Sequence, residues 1–221
     1  MDLREAIETV RKSVTGCTLV MFLATPPAVG GDTSPAKTGV AIPSVEELAM
    51  PNGGLQNVVL YLSSGLTAAT ANSVPTEEPI FDQKGCLFRP HVLAVDVNQK
   101  FKITSSDQTM HNVHPSPAPG SGNAGWNKSL PPGAPSIQTS WKAEEIAIPV
   151  KCNIHPWMRG WLVVVKGPYA VSDENGNFKI KNVPAGAYTL TAWQEEYGTR
   201  TAKVIVVGGQ AAKVDFTFDA K

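Results

Sequence analysis

With 221 residues, 42% of them apolar and 17% charged, the chain is long enough for one or two domains with real cores. Its formal net charge of zero removes the electrostatic case for nucleic acid or an anionic membrane as a partner. The 19 glycines and 18 prolines predict many turns and hence a β-rich fold.

Leu3, Ile7, Val10 and Val14 recur at helical spacing and predict a short amphipathic helix rather than a signal peptide. Val14-Thr15-Gly16-Cys17 has the form of a bacterial lipobox, but the apolar run TLVMFLA follows the cysteine instead of preceding it. That run reads as a buried strand stopped by prolines. No stretch is long enough to span a bilayer. GGDTSPAKTG reads as a loop and SVEELA as a short helical turn, followed by the strand-like QNVVLYLS, HVLAVDVNQ and KFKITSSD. Residues 115–140 form a long Pro/Gly/Ser loop, in which Trp126 and Leu130 are expected to pack on something. EEIAIPVKC and WLVVVK are the next strands.

At Gly167-Pro168 the pattern changes to a compact module. PYAVSDENGNFKI reads as a hairpin around Asn175-Gly176, and AYTLTAWQE, TAKVIVV and AAKVDFTF alternate apolar with polar positions. This gives two regions: residues 1–166, with an N-terminal extension, and residues 167–221. About 55 residues is marginal for an independent core, so the module is expected to pack against the first domain. A phosphate-cradling glycine loop, a nucleophile elbow and HExxH are all missing, and DENG is too short for an EF-hand loop.

KCNIHPWMRG places Cys152, His155 and Met158 three residues apart each time, between two strands, with Pro156 stiffening the middle. A thiolate, an imidazole and a thioether suit copper, and the trigonal His₂Cys arrangement with a weak axial methionine requires a second histidine. His91, His111 and His114 are the candidates. In an extended HNVH, His111 and His114 point to opposite faces. His111 is the preferred ligand, with Asn112 placed to brace the loop by hydrogen bonding. A zinc site from His111, His114, Cys152 and His155 is the main metal alternative, but it leaves Met158 unexplained. A buried thiol with packed neighbours is the bland one. His91 reads as a structural hydrogen-bonding residue. Of the three cysteines at least one thiol is unpaired, and Cys86 is open between a disulfide to Cys17 and a buried free thiol. Trp141, Trp161 and Trp193 are expected in the core.

CNIHPWMRG followed by WLVVVK resembles the ligand loop and last strand of the amicyanin group of cupredoxins, whose loop reads Cys-x-x-His-Pro-Phe-Met-Arg-Gly. MHNVH is similar to that family's upstream Pro-His-Asn-Val-His, in which the first histidine binds copper. The likeness covers residues 90–166. It implies an all-β Greek-key sandwich and one type 1 copper per chain on His111, Cys152, His155 and Met158. Residues 168–218 resemble a carboxypeptidase regulatory-like (transthyretin-like) sandwich through DENGNFKIKNVPAGAYTLTAW, which implies a non-catalytic module.

The implied function is single-electron transfer between redox partners, such as a c-type cytochrome or a dehydrogenase, docking at Pro156 and Trp157. A periplasmic or extracellular location is expected, with an export signal trimmed or upstream of Met1. Two other readings stay open. One is a copper-binding or surface-interaction protein without electron transfer. The other is a copper oxidoreductase, disfavoured because four histidines supply no His-x-His pair.

Overall fold

The computed structural model describes residues 8–13, 54–68 and 75–219. The expected strand TLVMFLATPP, the SVEELA turn and Cys17 lie outside the described residues. The protein is all-β, and its sheets stack in four layers around three buried clusters.

The outermost layer combines β3 (Ile80–Gln83), β4 (Phe88–Arg89), β6 (Phe101–Ser105) and β9 (Ile137–Thr139) in the order β4-β3-β6-β9. Facing it are β5 (Val92–Asp96), β7 (His111–Pro115), β8 (Lys128–Leu130), β10 (Glu145–Lys151) and β11 (Arg159–Val165), ordered β5-β11-β10-β7-β8. Phe81, Phe101, Ile103, Leu93, Leu162 and Val164 fill the space between these sheets.

The far side of the five-stranded sheet is buried too. Val92, Ala94, Val163 and Val165 alternate with the residues just named and meet Val59, Tyr61 and Trp193. Those three belong to a third sheet, built from β2 (Val59–Ser64), β12 (Tyr169–Val171), β14 (Gly186–Gln194) and β15 (Gly198–Val206) in the order β12-β2-β14-β15. Its other face, with Leu60, Leu62 and Leu190, packs on Phe178, Phe216 and Phe218. The fourth sheet holds β13 (Asn177–Phe178), β1 (Glu8–Ser13) and β16 (Asp215–Asp219). Strand side chains alternate between faces, so a strand covered on both sides reads as an uninterrupted apolar run. VLAV, WLVVV and VVLYL read that way for this reason. DFTFD, with one face open, alternates exposed and buried positions along its length.

A module of this size needs support, and two additions supply it. β2, far upstream in sequence, inserts between β12 and β14. Glu195 then crosses to the five-stranded sheet, where it accepts a hydrogen bond from the Trp161 indole and pairs with His91 at 2.5 Å. At the junction, Asp96 accepts from the Gly167 amide at 3.0 Å, and Gln99 accepts from the Tyr169 hydroxyl at 3.1 Å. Burial pushes the Asp96 carboxyl up and the Tyr169 phenol up to about 12.

Three local expectations are corrected. Glu8–Ser13 is strand, not helix: β1 runs parallel to β16 and antiparallel to β13. A helix that short is marginal alone, and the open edge of β16 offers a ladder of backbone partners instead. The turn at Asn175-Gly176 forms, with Gly176 donating to the Asp173 carbonyl at 3.0 Å, but its flanks β12 and β13 join different sheets. The 115–140 segment contains β8 and β9, and buries Leu130 in the first core with Trp126 packed beside it. Asn123 holds the intervening chain, accepting from the Lys142 and Ala143 amides and donating to the Ala143 carbonyl and to Glu145.

Candidate metal centre

The β10–β11 ladder, ending at Lys151 opposite Arg159, closes a tight loop over residues 152–158. Inside it the Cys152 amide donates to the Met158 carbonyl at 3.1 Å, and the Met158 amide to the His155 carbonyl at 2.9 Å. On its other edge β10 pairs with β7, Lys151 opposite His114. Carrying that register onward brings Asn112 opposite Asn153, and the Asn153 amide donates to Asn112 Oδ1 at 2.7 Å. Asn112 thus ties β7 to the loop, and its Oδ1 also lies 3.3 Å from Cys152 Sγ.

This register sets His111 beside the loop. His111 Nδ1 lies 3.9 Å from Cys152 Sγ and 3.1 Å from His155 Nδ1, and His155 Nδ1 lies 3.8 Å from the same sulfur. Metal–nitrogen bonds of about 2.0–2.1 Å and metal–sulfur bonds of about 2.3 Å, at angles of about 100–130°, place N···N at about 3.1–3.7 Å and N···S at about 3.3–3.9 Å. The triangle fits one small cation. His111, Cys152 and Met158 are buried, the last in the same cluster as Cys152, while His155 is partly exposed.

A single carboxylate orients the buried imidazole. Asp107 Oδ2 lies 2.9 Å from His111 Nε2. Burial works to raise the Asp107 carboxyl, but hydrogen bonds from the Cys86 and Gly85 amides and from His111 outweigh it and hold it below its usual range. An ionised carboxylate only accepts, so Nε2 donates its N–H to Asp107 and Nδ1 faces the triangle. Burial, then the neighbouring His111, push the His155 imidazole down, which favours its neutral form.

The remaining candidates fall elsewhere. His114 points away and its Nδ1 lies 3.2 Å from Asn153 Oδ1. His91 pairs with Glu195 at the sheet interface. Trp157 packs edge-on against the His155 ring, centroids 5.3 Å apart, and Pro156 is exposed beside it. Trp141 and Trp193 are buried, whereas Trp161 is only partly so. Two nearby residues were not placed at the site by the sequence reading: Asp107, four residues before His111, and Cys86, which is a free thiol but half-exposed rather than buried. The Cys86 sulfur and a ring nitrogen from each of His111 and His155 lie within 4.8 Å of one another. Burial, then Asp107 and Cys152, push this thiol up. The advance signal for Cys86 was the odd cysteine count, which leaves at least one thiol unpaired.

Against known proteins, one family model applies. Residues 160–219 match the carboxypeptidase regulatory-like domain. In the structure this regulatory-like stretch runs from β11 through β16. No curated protein matches the chain. Among solved structures it is similar to a copper-containing nitrite reductase from Thermus scotoductus SA-01, at 17% identity and a TM-score of 0.36, covering 45% of this chain and 25% of that one. A purple cupredoxin from Nitrosopumilus maritimus matches at 18% identity and a TM-score of 0.33, over 40% of this chain and 100% of that one. An oxidized proline-to-glycine variant of amicyanin matches at 20% identity and a TM-score of 0.35, over 48% of this chain and 98% of that one. Among the described residues no helix is long and apolar enough to cross a membrane.

Proposed function

We propose that His111, Cys152, His155 and Met158 hold one copper ion per chain as a type 1 centre, and that the protein carries single electrons between redox partners. The observation that carries this reading is the donor triangle, with edges of 3.1, 3.8 and 3.9 Å, closed by a loop ending in a buried methionine. Bound copper would supply a one-electron couple. The chain's own contribution is rigidity. Strands hold both ends of the loop, Asn112 pins Asn153, Asp107 fixes the His111 ring, and Trp157 packs against His155. Donors held this way shift little between oxidation states.

Burial keeps water from both sulfur donors. His155 is the partly exposed ligand, and so offers the route between the centre and a partner. Pro156 and Trp157 flank it and form the proposed docking face for a c-type cytochrome or a dehydrogenase, over a small and transient interface. A periplasmic or extracellular location suits such a centre.

The test is spectroscopic. Adding Cu(II) should give an intense visible thiolate-to-copper band that disappears in Cys152→Ser. Voltammetry should then be reversible and one-electron, without turnover of oxygen or nitrite. A colourless protein that takes zinc equally well would sink the assignment.

A further inference from the structure

The four-donor reading leaves Cys86 unused, and its setting is unusual. It sits with Gly85 at the tip of the β3–β4 hairpin, where the Lys84 amide donates to the Leu87 carbonyl at 2.9 Å. Both central residues are left-handed, φ 66° at Gly85 and 54° at Cys86, which defines a type I′ turn. Asn, Asp and Gly are the residues that suit such positions, and other side chains are disfavoured there. A strained residue directs attention to what its side chain does.

Asp107 links that turn to the metal centre. Its Oδ1 accepts from the Gly85 amide at 2.7 Å, and its Oδ2 accepts from the Cys86 amide and from His111 Nε2, both at 2.9 Å. One carboxylate therefore ties the backbone of the Cys86 turn to the His111 imidazole. The resulting donor cluster spans no more than 4.8 Å.

We propose that Cys86 is a further metal ligand of this centre, giving it a second thiol beside Cys152. The proposal rests on the copper reading above. Two donors on one ion stand at most about 4.3 Å apart, the sum of a metal–nitrogen and a metal–sulfur bond. The cluster spans up to 4.8 Å, and a turn of the half-exposed Cys86 about its single χ1 bond would have to bring the sulfur in by the remainder. On binding, the Cys86 S–H proton leaves to solvent as the sulfur–metal bond forms, and nothing is oxidised or reduced. Two thiolates with two imidazoles make a softer set than one thiolate, and so favour Cu(I).

The experiment loads the full chain with Cu(I) without oxygen and compares wild type with Cys86→Asn and Cys152→Ser. Asparagine suits a left-handed turn, so the variant keeps the hairpin, which circular dichroism checks. X-ray absorption at the copper edge should count two short sulfur neighbours in wild type and one in Cys86→Asn. Chelator competition should show Cu(I) affinity at least about tenfold weaker in Cys86→Asn, the scale expected when a donor is lost. One short sulfur and equal affinity in both proteins would overturn the proposal while leaving the four-donor centre standing. Copper held by Cys152→Ser as by wild type would overturn both.

Discussion

Asp107 and His111 meet Oδ2 to Nε2 at 2.9 Å, and this contact turns Nδ1 of a fully buried imidazole toward Cys152. Without it the ring could protonate Nδ1 and turn a donor N–H toward Cys152. Asp107→Ala is therefore expected to weaken copper binding about 10–100-fold, the usual effect of losing a residue that orients a ligand. Competition with a chelator of known affinity measures it. An unchanged affinity would show that packing alone fixes the tautomer.

Met158 is the proposed ligand whose loss should leave the centre assembled. Leucine keeps its volume, so Met158→Leu is expected to cost less than about 1.5 kcal/mol of stability despite complete burial. Cu(I) depends less on a fourth donor than Cu(II), so removing the thioether should raise the reduction potential. Voltammetry on the folded variant reads the shift directly. An unaltered potential would take Met158 out of the ligand set.

The loop carrying Cys152, His155 and Met158 stood out because cysteine, histidine and methionine are scarce residue types, and their spacing between two apolar runs is a local property. Most of the strands were legible for the same reason. What sequence could not show is contact at a distance. Asp107 reaches Cys86 across 21 positions, and β2 joins the C-terminal sheet across a far longer stretch, as the Val58 amide bonded to Ser172 Oγ at a separation of 114 illustrates. Neither leaves a periodic trace. The 115–140 segment misled differently: its prolines and glycines are real turn signals, yet three-residue strands fit between them. At the N-terminus, a helical spacing of apolar residues yielded to strand pairing, because local pattern sets only a weak preference.

Glu195, just past β14, joins the third sheet to the five-stranded sheet through His91 and the Trp161 indole. Glu195→Ala leaves that indole N–H without its acceptor in a partly buried interface, a loss expected to cost about 1–3 kcal/mol. Denaturant unfolding followed by tryptophan fluorescence checks this, since Trp161 and Trp193 stack edge-on at 5.8 Å across the same interface. A variant as stable as wild type, with unaltered fluorescence, would mean the apolar contacts alone hold the sheets together.

Glu145 gives the fold a defined acid sensitivity. Its carboxylate accepts from the Ala118 amide at 2.6 Å and from Asn123 Nδ2 at 2.9 Å, anchoring the long loop to β10. Burial works to raise its pKa, but the Asn123, Ala118 and Ser121 bonds outweigh it and hold the group below its ordinary value. The unfolded chain therefore binds this proton more readily than the folded one. The stabilisation is present above the unfolded value of about 4.3 and is lost as pH falls through the lower folded value. The group is largely solvent-screened, so Glu145→Gln should cost no more than about 1 kcal/mol near neutrality, or about 2–4 °C in Tm. Thermal melts of both proteins, stepped from about pH 7 into acid, should show the gap closing once Glu145 protonates in the folded state. A gap that stayed constant would mean the loop is held by the geometry of these bonds and not by the charge.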